Sequence, residues 1–560
     1  MNSPEHADDG RYPAALAPAS RADDHGQRGA SASDALAVLH GGPLPPPPAD
    51  TLGEALLRAT RTGHGVVLID GEGTAARRSY TELYDDALHT LAGLAAAGPP
   101  PGAPVILRTA DSADLLTAFW ACVLGGLVPL PVPPGTDEAG LGEAVAAVGE
   151  AWLLTDDVPG PLPPGLRRLG PIGALRQGRP GRPVEALPDD LAVLTLTSGS
   201  AGRPKAVPLT HRHVLARAHA TAVARGLDAT TRSLNWMPLD HVSGIVMFHV
   251  RDVFLGCHQV HVDTEWVRAD PLRWLDLADA ERIDTTWAPN RTFALVADRI
   301  DEQPDRSWDL SGLRYIMNGG EAVRDRTTRR FVAALAPHGL PPGAVHPGWG
   351  MPETASGVVD SVFRPGDGPP RRHVPVGVPH PGVSVRVVGE DGRVLPVGAV
   401  GRLQVTGVPV VDAYLEGGVP RPAPRSADGW LVTDDLAFVA DGELTVTGRA
   451  DGVIELNGAL YHGHEIEDAV DQLPCVRPSF TVARACAADG AGPEGLAVFF
   501  SPRAGVPARE AEALVRERLR RRFGADGAHV EALMEHELPR TATGKLRRSV
   551  LAARLPGARR

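Results

Sequence analysis

Leu194-Thr195-Leu196-Thr197-Ser198-Gly199-Ser200-Ala201-Gly202-Arg203-Pro204-Lys205 is the stretch on which the reading of this chain turns. The apolar run Ala192-Val193-Leu194 reads as a buried strand, and it ends in small hydroxyl and glycine residues closed by a lysine. A loop without bulky side chains lets backbone N–H groups approach phosphate oxygens closely. Thr197, Ser198 and Ser200 add hydroxyl donors, Gly199 and Gly202 give the backbone its freedom, and Lys205 supplies a point charge. It is not a Walker A loop, because Pro204 stands where the second glycine belongs and Ala206 follows the lysine. Taken alone the stretch also fits a flexible Gly/Ser turn between strands, so the rest of the chain has to decide.

At 560 residues, with 43% hydrophobic content, the chain has room for two to four cored domains at about 100–200 residues each. No apolar run approaches the roughly 20 residues of a membrane span; residues 115–132 come nearest and are broken by Gly125, Gly126 and Pro129. The N-terminus opens with Asn2, Glu5, Asp8 and Asp9 rather than a basic-then-apolar leader, so a cytoplasmic protein without a membrane partner is expected. Cys122, Cys257, Cys475 and Cys486 lack CxxC spacing, and neither a zinc site nor a disulfide frame is expected. A net charge of −12 argues against nonspecific nucleic-acid binding.

Residues 1–50 alternate charges with Ala and Ser and finish in Gly41-Gly42-Pro43-Leu44-Pro45-Pro46-Pro47-Pro48, which predicts a disordered Pro-rich tail, or else a docking arm. From Thr51 the pattern changes. Val66-Val67-Leu68-Ile69 reads as a buried strand, residues 79–97 as a helix capped by Ser79, Val105-Ile106-Leu107 as a strand, 111–124 as a helix and 128–132 as a strand. Such alternation predicts a parallel, wound α/β sheet, here running through the opening loop to about residue 330, with ligands at the carboxyl ends of its strands. Beyond about residue 370 the texture turns to β, at 383–388, 401–405 and 444–447, which predicts a β-rich subdomain over about 375–450. In the last segment Val515, Leu519 and Phe523 form an apolar helical stripe, flanked by arginines that fit a solvated face or a patch for an acidic partner.

Several stretches carry chemistry. Trp236-Met237-Pro238-Leu239-Asp240-His241-Val242-Ser243-Gly244 sets a carboxylate and an imidazole in an apolar context, and Thr286-Trp287-Ala288-Pro289-Asn290 ends a strand in polar groups. Both fit the wall of a substrate pocket, though Asp240 and His241 fit structural roles as well. Asn318-Gly319-Gly320-Glu321 is a tight turn at a strand end, and His346-Pro347-Gly348-Trp349-Gly350-Met351-Pro352-Glu353 joins glycines, an aromatic ring and a carboxylate. Asp435, after Trp430-Leu431-Val432-Thr433-Asp434, has the chemistry to hold a ribose diol, and Arg449 in Gly448-Arg449-Ala450-Asp451 that to hold phosphate or ribose oxygens, though each stretch taken separately fits a plain turn as well. Near the end, Leu538-Pro539-Arg540-Thr541-Ala542-Thr543-Gly544-Lys545 presents a lysine on a loop.

In this order the stretches resemble the motifs of the adenylate-forming superfamily, which holds acyl-CoA synthetases, nonribosomal-peptide adenylation domains, fatty acyl-AMP ligases and luciferases; the likeness covers about residues 51–550. The resemblance implies a large N-terminal adenylation domain over 51–450 and a small mobile α+β C-terminal domain over 451–560 that turns about Asp451. It implies ATP-dependent activation of a carboxylic acid as an acyl-adenylate with Mg²⁺, then transfer to a thiol. That thiol is the phosphopantetheine of a carrier protein in secondary metabolism, or CoA if the chain is an ordinary acyl- or aryl-CoA ligase. By similarity Lys545 bridges the carboxylate and the α-phosphate, Glu353 ligates Mg²⁺ and Asp435 holds the ribose. Arg449 contacts ribose or phosphate, and Trp349 and Gly350 lie at the adenine. His241, with Asp240 and Asn290, borders the acyl pocket, and Asn318, Gly319, Gly320 and Glu321 edge the adenine and acyl sites. The pattern departs from the family at Ala201, Pro352, Asp434 and Leu460. The loss of hydroxyls at Ala201 and Pro352 motivates a further alternative, a family member that binds nucleotide or acyl ligand without turnover.

Overall fold

The computed structural model describes residues 35–156, 160–198, 204–366, 368–486, 495–540 and 550–554. Among them the largest sheet has nine strands. Its spatial order is Val378–Pro379, Ser356–Asp360, Val345–Met351, Tyr315–Gly319, Thr285–Trp287, Arg232–Asn235, His258–Val262, Gly65–Ile69 and Ala75–Ser79. From Val345–Met351 to Gly65–Ile69 every neighbouring pair is parallel, and the outer strands are antiparallel. Strands such as Tyr315–Gly319 are buried along their whole length, as a sheet covered on both faces requires. The helices Asn290–Glu302 and Asp325–Leu335 make consecutive crossovers, and Phe293 and Phe331 stack between them at a ring separation of 3.9 Å.

A second, parallel sheet runs Val128–Pro131, Pro104–Arg108, Ala151–Thr155, Leu166–Gly170. Its flanking helices follow the sequence signals. Ser79 and Glu82 close a reciprocal cap on Tyr80–Ala97, and Asp111 caps Ser112–Leu124, which buries Phe119 and Trp120 completely.

The opening stretch departs from the wound-sheet expectation. Leu191–Ser198 is not a parallel strand; it forms an antiparallel hairpin with Pro204–Thr210, in which Thr197 lies opposite Lys205. The five residues between Ser198 and Pro204 explain the difference, since parallel neighbours need a crossover of about a dozen residues or more; residues 192–195 are buried in succession, so the run itself fits either kind of strand. Ala413–Glu416 adds to the same sheet beside Pro204–Thr210.

The expected tail is also corrected in part. Val38–His40 pairs with Val383–Val388, and Ala37 is buried. This strand edges a five-stranded antiparallel sheet completed by Gly401–Gly407, Leu431–Ala440 and Glu443–Arg449. Three apolar residues, Ala37-Val38-Leu39, suffice because the existing sheet edge supplies the backbone partners that an isolated segment lacks. Residues 1–34 lie outside the described residues.

After Arg449 a separate core gathers Ile466, Val470, Val498, Phe500, Val515 and Leu519. It is built from the hairpin Val453–Leu456 with Ala459–His462, the helices Gly463–Asp471 and Ala508–Phe523, and the three-stranded sheet Val476–Cys486, Gly495–Pro502, His529–Ala532. The stripe of Val515, Leu519 and Phe523 packs inward, as its helical spacing predicts.

Candidate active site

Four neighbouring parallel strands deliver the candidate residues to one edge of the nine-stranded sheet. Val345–Met351 ends at Trp349, Gly350 and Glu353; Tyr315–Gly319 ends at Asn318, Gly319, Gly320 and Glu321; Thr285–Trp287 leads to Asn290; Arg232–Asn235 leads to Asp240 and His241. This is the carboxyl edge, where open α/β sheets bind ligands. The first two strands pair Gly319 with Gly348 so closely that a Cβ on Gly319 would lie 2.6 Å from the Gly348 carbonyl oxygen. Only glycine permits that approach.

Glu353 is buried, and its Oε1 accepts from the Tyr414 hydroxyl at 2.9 Å. Its Oε2 is buried without a hydrogen-bond partner among the described residues. Burial raises its carboxyl pKa, against the bond from Tyr414 and the charge of Lys205, which lower it. Lys205 Nζ lies 4.9 Å from the centre of the Tyr414 ring, so lysine, phenol and carboxylate form one group. Behind Glu353 the chain passes through Ala355 at φ 52° and Ser356 at φ 105°, two consecutive non-glycine residues in the left-handed region. Strain of this kind persists only where surrounding contacts impose it. Pro352 sits at the start of the short turn Pro352–Thr354 that aims the glutamate.

Trp349 Nε1 donates to Asp435 Oδ2 at 2.8 Å, which ties two of the sequence motifs together. Burial raises the Asp435 pKa, and the indole hydrogen bond and Arg449 lower it. In the ladder Arg449 lies directly opposite Asp435. Its guanidinium bonds Asp451 at 3.0 Å and Asp434 at 3.1 Å, so the unexpected Asp434 serves as an anchor for Arg449, and Asp451 is held by the same arginine.

The loop bearing Asp240 and His241 is folded against the start of an unusual π-wound helix, Ser243–Val250. A Cβ on Gly244 would lie 2.1 Å from the Pro238 carbonyl oxygen, so glycine is required for the loop to pack on the helix. His241 Nδ1 accepts from the Ser243 backbone N–H at 3.1 Å, and Asp240 is half-buried with its pKa raised to about 6 by desolvation. A buried polar chain supports this loop from below. Trp120 Nε1 donates to His249 Nε2 at 2.8 Å, His249 Nδ1 meets Gln259 Oε1 at 2.9 Å, and His261 Nε2 meets the same oxygen. Asn235 Nδ2 donates to His261 Nδ1 at 3.0 Å and to the Met237 carbonyl oxygen at 3.0 Å. Every proton in this chain is assigned by its partners, and both imidazoles must be neutral for it to close.

Asn290 and Asn318 are buried and spent partly on the backbone. Asn290 Oδ1 accepts from Arg324 N–H at 3.1 Å, and Asn318 Nδ2 donates to the Ala288 carbonyl oxygen at 2.9 Å. Asn318 Oδ1 and Trp236 Nε1 are left without a hydrogen-bond partner among the described residues. Orphaned polar atoms at a concave edge are the mark of a site completed by ligand. Glu321 Oε1 accepts from Arg291 N–H at 3.0 Å, cross-linking two of the edge loops. A cleft of about 230 Å³ opens beside them, walled by Trp236, Pro289, Arg291 and Glu321 on one side and by Glu535 and Arg540 on the other. Gly199, Ser200, Gly202 and Lys545 lie outside the described residues, and for Ser198 the description reaches only the backbone.

The structure adds residues that sequence reading missed. Tyr414 carried no signal, because its partners Lys205 and Glu353 are distant in the chain and meet through the pairing of Leu415 with Ala206 and the hydrogen bond from Val411 N–H to the Glu353 carbonyl oxygen. Arg291 follows Asn290 directly and belongs to none of the motifs; it lines the cleft, and desolvation lowers its pKa to about 10. Asn235 and His261 gave only the hint of polar residues at the ends of apolar strands.

These residues gather at the carboxyl edge of a wound α/β body. Residues 57–415 match the family described as AMP-binding enzyme, and the chain belongs to that family. Aspulvinone E synthetase melA of Aspergillus terreus (strain NIH 2624 / FGSC A1156) is 31% identical over 525 residues, 88% of this chain and 56% of that protein. The chain spans about half the length of the curated relatives it matches. A solved structure of McyG A-PCP complexed with phenylalanyl-adenylate is 31% identical with a TM-score of 0.84, over 92% of this chain and 84% of that one. The adenylation domain of a keto acid-selecting NRPS module bound to keto acyl adenylate is 33% identical with a TM-score of 0.70, over 88% of this chain and 100% of that one. The fold is that of adenylation domains. No helix among the described residues is long and apolar enough to cross a membrane.

Proposed function

We propose that this chain activates a keto acid as its acyl-adenylate with ATP, and passes the acyl group to the phosphopantetheine thiol of a carrier protein in secondary metabolism. The observation that carries the reading is the convergence of three sheets on one place, with Trp349 and Glu353 at the end of the nine-stranded sheet, Lys205 and Tyr414 from the hairpin sheet and Asp435 from the five-stranded sheet, and with Glu353 Oε2 buried and unpartnered among the described residues. The keto acid is favoured by the 33% identity to a domain described with a keto acyl adenylate.

In the first step a carboxylate oxygen of the acid attacks the α-phosphorus of ATP, the bond to the bridging oxygen breaks and pyrophosphate leaves. Two anions must meet, so fixed positive charge is the main requirement. Lys545 supplies it at the carboxylate and α-phosphate, and Lys205, with Thr197, Ser198, Gly199, Ser200 and Gly202, holds the departing pyrophosphate. Asp435 holds the ribose hydroxyls, oriented by Trp349 and faced by Arg449. Gly320, Glu321 and Gly350 shape the adenine edge. Asp240, His241, Asn290, Asn318 and Gly319 border the acyl group.

Glu353 is suited to Mg²⁺, which is a hard cation that takes one or two carboxylates and completes its shell from substrate phosphates and water. When bound, Mg²⁺ neutralises phosphate charge. Tyr414 fixes the rotation of the Glu353 carboxylate through Oε1, and Oε2 is left without a hydrogen-bond partner among the described residues. In the second step the acceptor sulfur attacks the acyl carbon, the thiol proton is lost and AMP departs. Residues 51–450 act as the adenylation body and 451–560 as a smaller unit that carries Lys545 and pivots at Asp451.

The acceptor is tested by offering the activated acid to CoA and to a phosphopantetheinylated carrier, and weighing both products by mass spectrometry. Acyl carrier formed at least about tenfold faster than acyl-CoA is the expected result. Acylation of CoA alone would assign the chain to the CoA ligases.

A further inference from the structure

A continuous path of polar contacts leads from the candidate acyl pocket to Arg540. It begins at Asn290, whose Oδ1 holds the backbone N–H of Arg324 at 3.1 Å. Arg324 leaves the Asn318–Glu321 turn just before the helix Asp325–Leu335, and its guanidinium crosses to the helix Gly463–Asp471. There it bonds Asp471 and lies 3.4 Å from Glu467. Both carboxylates are fixed from behind. Asp471 accepts from Ser479 N–H at 2.9 Å and from the Thr481 hydroxyl, and Glu467 accepts from Ala483 N–H at 3.1 Å. Ser479, at φ 65°, offers its carbonyl oxygen to Arg540 Nη2 at 2.8 Å, five residues before Lys545.

Other ion pairs cross this seam. Arg291 approaches Glu535 only to 3.7 Å with the Glu535 side chain 45% exposed, and such a pair contributes little. Arg372 meets Glu465, with side chains 32% and 9% exposed. The Asp471 side chain is 7% exposed and that of Glu467 2%, so removing Arg324 leaves two buried charges without their cation. That loss is strongly unfavourable and weakens the seam between the two units.

We propose that Arg324 is a positioning residue for adenylation: it docks the C-terminal unit on the acyl-pocket loops through Asp471 and Glu467 and so sets Arg540 at the wall of the cleft. The proposal rests on the reading given above for its activity readout. Its docking readout does not depend on that reading.

The test uses the full chain with Arg324→Ala, Arg324→Lys and Asp471→Asn, each checked for folding by melting temperature. Pyrophosphate exchange and small-angle X-ray scattering are measured on all of them. Arg324→Ala is expected to lower kcat of exchange at least about tenfold with KM for ATP within about threefold of the parent, while its radius of gyration grows. Asp471→Asn is expected to follow it in both readouts, and Arg324→Lys to recover most of the rate and the compact profile. Exchange within twofold of the parent for Arg324→Ala, or a fallen rate with an unchanged scattering profile, overturns the proposal. If Arg324→Ala fails to fold, Asp471→Asn and Arg324→Gln are judged by the same two readouts. Should the parent exchange with no acid, the functional reading falls, and the scattering comparison alone decides whether Arg324 docks the unit.

Discussion

The Trp349 indole and the Asp435 carboxylate, 86 residues apart in sequence, are joined by a 2.8 Å hydrogen bond from Nε1 to Oδ2. The bond spends one carboxylate oxygen on orientation and leaves the other for a ligand. Burial opposes ionisation of Asp435, so the indole also helps to hold the charged form that a ribose diol needs.

Trp349→Phe keeps an aromatic ring and removes the donor. A hydrogen bond to a charged group is worth about 1.5–3 kcal/mol, so KM for ATP is expected to rise about tenfold or more, with kcat within about threefold. Steady-state kinetics with ATP varied checks this. An unchanged KM would mean that Asp435 is oriented by something else.

Glu353→Gln separates function from stability. A carboxyl raised by burial holds its proton more tightly folded than unfolded, so its contribution to stability shrinks as pH rises. Glutamine removes that charge. The melting temperature at neutral pH is expected to hold or rise, while pyrophosphate exchange falls about a hundredfold, a loss of ~3 kcal/mol, and its Mg²⁺ requirement shifts upward. Tyr414→Phe, which takes away only the bond to Oε1, is expected to cost about tenfold.

Much of this site was legible before any coordinates. Ser79 with Glu82, Asp111, and the alternation of apolar runs announced the helices and parallel strands, and strand ends then placed Asn318, Trp349 and Glu353 on one edge. What was hidden depended on pairing between distant segments. The hairpin of Leu191–Ser198 with Pro204–Thr210 is local, but its fully buried apolar run reads equally as a strand of the wound sheet. Val38–His40 is too short to be read without the sheet it edges. Tyr414 acquires its partners through two long-range contacts that no local pattern encodes, the pairing of Leu415 with Ala206 and the hydrogen bond from Val411 N–H to the Glu353 carbonyl oxygen at 2.9 Å.

The buried chain through His249 and His261 makes stability depend on acid. Burial lowers His249 to about 4 and His261 well below its usual value. The unfolded chain therefore takes up protons below pH 6.5 that the folded chain refuses, and stability present near neutrality is lost as pH falls from about 6.5 toward 4. For His249 alone the loss between pH 7 and pH 5 is about 2 kcal/mol. Urea denaturation at the two pH values is expected to show at least that difference, and His249→Gln to reduce it. Equal stability at both would remove the neutral imidazoles from the account.

The central claim is that this site joins a carboxylic acid to AMP, and ATP–pyrophosphate exchange across a panel of keto, amino, aryl and fatty acids tests it most directly. The account predicts exchange that depends on the acid, greatest with a keto acid, and lowered about a thousandfold by Lys545→Ala. That figure corresponds to an ion contact near 4 Å worth about 4 kcal/mol at an effective dielectric of 20. No exchange with any acid, or a loss below about tenfold in Lys545→Ala, would contradict it.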